Sequence, residues 1–303
     1  MRLVTRPSMS PFLGIGLGII VVSTASIAIR YAQGYASSIV IAAWRLTVAS
    51  LVVIPILLTR ERDSLRSLSR RDFGLAMGSG AFLALHFATW ITSLETTSVA
   101  SAVVLVSTMP LFVALLAPVT LREPITRPVI LGLALALAGG IAIALSDSPS
   151  APGNATGSPL TGDLLAIAGA IAGAGYLLIG RRLRRQLTLL TYISLSYSAA
   201  AALLLAWMIL AGQPAFGYPL QAYGLFVFLA LGPQLLGHSS FNWALRYLPA
   251  SVVAITLLGE PVGSSILAYF LLDEQPSAFK VGSMILILAG IYIAGRPAPG
   301  RSG

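Results

Sequence analysis

Charge is what this sequence has least of. Of 303 residues only 19 are Lys or Arg and 10 are Asp or Glu, where a soluble chain of that length carries about 75 charged residues. The scarcity excludes an ordinary soluble domain, a disordered chain and a coiled coil, each of which needs a hydrated charged surface. Cysteine is absent, which excludes a disulfide framework, a cysteine-ligated zinc and a thiol nucleophile. With two histidines, His86 and His238, and no clustered acids, no metal site is expected. H-E-x-x-H, the phosphate-binding Walker loop and the G-x-S-x-G elbow are all missing, so the chain does not read as an enzyme, and no cofactor is expected. A net charge of +9 points to nucleic acid only where the charges form a face. Here they fall in short bursts between apolar runs, so no nucleic-acid partner is expected.

Apolar sequence is abundant, at 56% of residues. An apolar helix needs about 20 residues to cross a bilayer. Ten such runs occur, at 12–32, 37–59, 73–94, 98–121, 127–146, 161–181, 190–212, 221–245, 250–272 and 277–296. The first exceeds the h-region of a signal peptide and is read as a retained helix. The expected fold is an all-α polytopic membrane protein of ten transmembrane helices. Cytoplasmic loops of such proteins are enriched in Arg and Lys. With the N-terminus inside, sixteen basic residues fall in inside segments and two, Arg30 and Lys280, outside; Arg45 lies within span 2. Both termini are therefore expected in the cytoplasm, with the chain in the inner or plasma membrane.

The two halves repeat. Trp90-Ile-Thr-Ser-Leu94 followed by Ser98-Val-Ala-Ser aligns with Trp243-Ala-Leu-Arg-Tyr247 followed by Ser251-Val-Val-Ala, at an offset of 153. Pro110 aligns with Pro261, Leu121-Arg-Glu123 with Leu272-Asp-Glu274, and Ala138-Gly139 with Ala289-Gly290, at an offset of 151. Five spans per half is odd, so the second half must enter the membrane inverted. Two inverted five-helix repeats are a transporter device that places two similar gates around a midplane site. The expected division is 1–146 for the first repeat, 147–160 for an external linker, 161–296 for the second repeat and 297–303 for a cytoplasmic tail.

These landmarks resemble the EamA repeat of the drug/metabolite transporter superfamily, with Met109-Pro110 and Glu260-Pro261 inside a span and Arg-Glu and Asp-Glu at span ends. Ala43-Trp-Arg45-Leu-Thr-Val-Ala also resembles that family's second span. The resemblance covers nearly the whole chain. It implies ten spans, both termini inside, and export of metabolites such as amino acids or purine-like compounds; the YddG-type aromatic amino-acid exporters are members. The Trp often found in the first span of each repeat stands here as Val22 and Gly173, and Glu260 has Met109 as its twin.

Polar groups inside a membrane face the protein interior or water. His86 and Trp90, four apart, share one helix face, and Gln234, His238 and Asn242 recur at that spacing on the equivalent span 8. They read either as the lining of a central cavity or as hydrogen-bonding glue between helices. Tyr176, Phe241 and Trp243 would supply aromatic walls. Glu260, about ten residues into span 9, reads as an amine-binding or proton-carrying carboxylate, or as a structural partner of Arg45. Arg45 reads as a binder of carboxylate or phosphate, or as a partner of Glu95 or Glu260. Small residues four apart, Gly74 and Gly78, Gly132, Ala136 and Gly140, and Gly169 and Gly173, read as close helix packing.

The expected function is a secondary transporter that exports small metabolites by alternating access. Amino acids with aromatic or other apolar side chains lead, with a purine-like compound or cationic drug as the alternative. A membrane enzyme on lipid-linked substrates would need clustered acids at one membrane face, and a passive channel would not need inverted repeats. The expected partners are the lipid bilayer and a small-molecule substrate, and no oligomer is required.

Overall fold

The computed structural model describes residues 7, 9–97, 99–146, 158–272 and 275–296. Most of the proposed linker, the tail after 296, Ser98 and Glu274 lie outside them. The described residues form ten apolar helical runs and no strand. Eight are long and apolar enough to cross a membrane: Pro11–Gln33 (span 1), Ser38–Arg60 (span 2), Arg70–Thr96 (span 3), Val104–Leu121 within span 4, Pro159–Arg184 (span 6), Leu189–Leu210 (span 7), Leu220–Ala244 (span 8) and Ala250–Leu267 within span 9. Span 5 is Arg127–Ser146 and span 10 is Ala278–Ala294; span 10, with 17 residues, is at the short end of what crosses a bilayer. Leu115, Val119, Ile209 and Leu210 point outward, as lipid-facing side chains do.

Four runs are not the single helices that their hydropathy suggests. Span 4 divides into Val99–Val106 and Met109–Leu121. Pro110 has no N–H for the Val106 carbonyl, and Thr108 Oγ1 donates instead to Leu105 O at 2.6 Å. Span 9 divides at the equivalent place, into Ala250–Thr256, a 3₁₀ turn Leu257–Gly259, and Glu260–Leu272; Pro261 has no N–H for the Leu257 carbonyl, which accepts from the Glu260 N–H one residue earlier. Span 1 breaks at Ser23-Thr24, whose hydroxyls donate to Ile19 O and Val21 O, both at 2.7 Å, a bond that bends helices. Span 8 widens into a π-helix over Ala230–His238 around Pro233.

Every span packs against a span of the other half. Span 1 lies on span 8 and span 6 on span 3; spans 2 and 7, 4 and 9, and 5 and 10 pair directly. Exchanging the halves maps this set onto itself, as two inverted repeats require. The tethers obey the same exchange. Ser37 Oγ at the start of span 2 donates to Gln213 Oε1 after span 7, at 2.9 Å. At the opposite end Thr188 before span 7 bonds Glu61 after span 2.

Spans 5 and 10 approach each other closely through glycines on both. A Cβ on Gly132 would sit 2.5 Å from the Gly290 carbonyl oxygen, and one on Gly139 2.7 Å from that of Ser283. Of the expected small-residue stripe, Gly169 and Gly173 also face neighbours closely, on span 3 and at Met109. Gly74, Gly78 and Gly140 have nothing within 4 Å of an added Cβ; the packing face of span 5 runs through Gly139, one residue round the helix.

The arginine-rich loops share one end of the bundle. There Glu123, after span 4, accepts from Arg181 Nε at 2.6 Å, Arg185 Nη2 at 2.7 Å and the Ala250 backbone N–H at 3.0 Å. Arg184, which the sequence places among loop charges, is instead buried, donating from Nε to Asn242 O at 3.0 Å. At the other end Glu95 accepts from the Ser38 backbone N–H at 3.0 Å and from its hydroxyl.

Candidate functional site

The helix breaks converge. A cavity of about 90 Å³ is bounded by Val106, Ser107, Met109 and Pro110 at the break of span 4, and by Leu257, Leu258 and Glu260 at that of span 9. Val22 and Ala25 flank the break of span 1 and line it too. Broken spans meeting where two repeats join are the usual way a transporter builds a midplane site. The wall also contains Arg45, His86, Trp90, Tyr176 and His238. Six of the nine residues singled out from the sequence, those five and Glu260, are thus brought together.

Each is set by its neighbours. His86 Nδ1 lies 2.8 Å from the Gly169 carbonyl oxygen. A carbonyl only accepts, so Nδ1 carries the proton, and the singly protonated ring has its lone pair on Nε2. The ring stacks on Trp90, centroids 6.0 Å apart and planes at 13°. His238 meets the edges of Phe87 and Phe241 at 5.4 and 5.9 Å. Arg45 Cζ lies over the Phe87 ring, 4.3 Å from its centroid, a cation–π contact. Its Nε donates to Gln234 Oε1 at 2.9 Å, while Nη1 and Nη2 have no hydrogen-bond partner. Trp90 Nε1 is likewise unpartnered and buried. Glu260 opens the second half of span 9, where the helix dipole favours a negative charge. Arg45 makes no ion pair with Glu260 or with Glu95; the ion pairs among the described residues are those of Glu123.

The other three sit behind or away from the wall. Gln234 is fully buried and acts on Arg45. Asn242 is fully buried, donating through Nδ2 to Tyr176 Oη at 2.6 Å and Tyr197 Oη at 3.2 Å. Trp243 turns to span 1, where a Cβ on Gly14 would come within 2.7 Å of its ring. The expected stripe assumed 3.6 residues per turn. The wider π turn rotates Gln234 relative to His238, so four-residue spacing no longer marks one face.

Val106, Ser107, Met109, Leu257 and Leu258 were not singled out as cavity lining, apart from Met109 as the twin of Glu260. Pro110 and Pro261 in equivalent places are the signal that would have found them. Val22 and Gly173 both line the cavity, and a Cβ on Gly173 would already come within 2.7 Å of Met109 Sδ. The space that a tryptophan would fill is taken here by Met109 and His86.

The profile of the EamA-like transporter family matches residues 9–145 and again 160–296. The chain belongs to the EamA-like transporter family. An uncharacterized transporter of Bacillus subtilis (strain 168), YyaM, is 26% identical over 272 residues, 88% of this chain and 87% of that protein. One from Archaeoglobus fulgidus is 26% identical over 269 residues, covering 89% and 92% of the two chains. A solved crystal structure superimposes with a TM-score of 0.75 at 21% identity, over 94% of this chain and 96% of the other, a likeness of fold. The cavity of this multi-pass membrane protein lies between its two EamA repeats: Arg45, His86, Trp90 and Met109 come from the first, Gly173, Tyr176, His238 and Glu260 from the second.

Proposed function

We propose that this protein is a secondary transporter that exports small metabolites by alternating access, with amino acids bearing apolar or aromatic side chains as the leading cargo. The inner or plasma membrane holds it with the arginine-rich loops and both termini in the cytoplasm. The observation that carries this reading is the cavity itself, at the meeting of two broken spans from opposite repeats. Its walls are mostly apolar and aromatic, and its one carboxylate, Glu260, makes no ion pair. Such a wall suits an apolar side chain, and such a carboxylate an ammonium group. A purine-like base or a cationic drug would use the aromatic walls and Glu260 without needing Arg45.

The test is transport by purified protein in liposomes that contain nothing else. Labelled leucine is expected to cross faster than in empty liposomes, and Glu260→Gln is expected to weaken its apparent affinity while leaving the pH profile in place. A flattened pH profile in Glu260→Gln would make the carboxylate a proton carrier instead. No transport of any amino acid, amine or purine above empty liposomes would refute the reading.

A further inference from the structure

Arg45 is a costly side chain to bury. It is fully buried, and two of its three nitrogens have no acceptor. Leaving buried charge uncompensated is strongly destabilising. No described acid forms an ion pair with it: Glu95 accepts from Ser38, and Glu260, which borders the same cavity as Arg45, lies beyond ion-pair distance. No group among the described residues accepts from Nη1 or Nη2, so the fork is free to take an acceptor that enters the cavity.

The guanidinium is held in a way that dictates what they look like. The Phe87 ring lies under Cζ at 4.3 Å. Gln234 closes the Nε edge at 2.9 Å. Nη1 and Nη2 remain, a planar fork that matches the two oxygens of a carboxylate. The unpartnered Trp90 Nε1 adds a third donor in the same wall. Charge balance narrows the ligand further. The cavity holds one guanidinium and one carboxylate, so a zwitterion leaves it neutral, whereas a phosphate dianion adds net negative charge beside Glu260.

We propose that Arg45 is the carboxylate receptor of the site, that Gln234 is its positioning residue, and that the cargo must therefore carry a free carboxylate. This rests on the reading of the chain as an amino-acid exporter and adds the group by which the cargo is told from other amphiphiles. Gln234 does not line the cavity; it acts through Arg45. A neutral amide suits the task, because its oxygen holds Nε without neutralising the charge that the cargo needs. The π-helix brings it there: Pro233 has no N–H to offer the Leu229 carbonyl four residues back, and the widened turn around it places Gln234 against Arg45 of span 2.

The experiment measures binding of leucine, leucine amide and isopentylamine to the purified full-length protein, with transport in liposomes alongside. Sites built to hydrogen-bond a group reject analogues that lack it strongly, so wild type is expected to prefer leucine over the amide and the amine by at least about tenfold. Arg45→Gln is expected to bring the three within about twofold of one another. Gln234→Glu places a carboxylate on Arg45 and is expected to weaken leucine by about tenfold while isopentylamine changes little and the thermal midpoint does not fall. Gln234→Met removes the tether without adding charge and is expected to fall between wild type and Gln234→Glu. If Arg45→Gln fails to fold, the Gln234 variants decide. Equal binding of leucine and its amide by wild type overturns the proposal, as does a preference that survives in Gln234→Glu. In those cases transport of leucine leaves the exporter reading standing; absence of all transport removes both.

Discussion

Replacing Glu123 should cost the fold more than any other exposed-loop substitution, because one carboxylate ties three elements of both halves. Its side chain is 11% exposed and that of Arg181 12%, while Arg185 is 45% exposed. The Arg185 pair is therefore screened and contributes about 0–1 kcal/mol. The Arg181 pair is a largely buried, charge-assisted bond; losing it leaves Arg181 with only its 2.6 Å bond to Leu245 O and costs about 1.5–3 kcal/mol. The Ala250 N–H, at the start of span 9, loses a cap-like acceptor worth about 1 kcal/mol. Glu123→Ala should thus destabilise by about 3–5 kcal/mol, and Glu123→Gln, whose amide oxygen still reaches Ala250, by about 2–4 kcal/mol. The assay is a double-mutant cycle in detergent on reversible denaturation, with Glu123→Gln, Arg181→Gln and the pair. The coupling should be about 1.5–3 kcal/mol. A coupling under about 0.5 kcal/mol, or a larger effect from Arg185→Gln than from Arg181→Gln, would refute the reasoning.

Other expectations are as direct. Gly132→Leu should abolish the monodisperse folded peak in size-exclusion chromatography, since its Cβ would strike the Gly290 backbone at 2.5 Å, whereas Gly140→Leu, with open space around it, should behave as wild type. Single cysteines at Ser67 and Ala211, which lie at opposite ends of the bundle in this cysteine-free chain, should be labelled by an impermeant thiol reagent from opposite sides; labelling of both from outside intact cells would overturn the crossing pattern. Trp90→Ala and His238→Ala, which remove cavity walls, should lower leucine transport by about tenfold or more, equivalent to about 1.4 kcal/mol, with near-normal folding; unchanged rates would make both mere packing.

Span positions and the repeat were legible because a membrane imposes a long, coarse signal: twenty apolar residues, a basic loop, then twenty more. The same uniformity hid the breaks. Nothing in the hydropathy of Val99 to Leu121 marks Ser107-Thr108 as the end of a helix, and Ser23-Thr24 reads as two small residues in an apolar run. What interrupts them is local hydrogen bonding by Ser and Thr and the missing donor of Pro110 and Pro261, which average hydropathy does not register. Arg45, His86, Trp90, Tyr176, His238 and Glu260 were legible as intramembrane polar or aromatic groups. The exact face was not, because Pro233 changes the helical period under Gln234 and Asn242, and because one step around span 5 separates Gly139, which touches span 10, from Gly140, which touches nothing.

The exchange of partners between halves has a consequence for how the chain is made. When the ribosome has delivered only the first five spans, none of them has met its partner from the other half. Span 5 waits longest, since Gly132 and Gly139 are covered only by span 10, the last helix among the described residues to leave the exit tunnel. Until then the first half is a set of loosely held helices whose notched faces are filled by lipid, and the buried guanidinium of Arg45 has neither Gln234 nor a closed cavity around it. That charge goes without its final partner for as long as it takes to translate nearly 190 residues from Arg45 to Gln234. A slow or interrupted second half therefore leaves this intramembrane guanidinium without the side chain that bonds it in the finished structure.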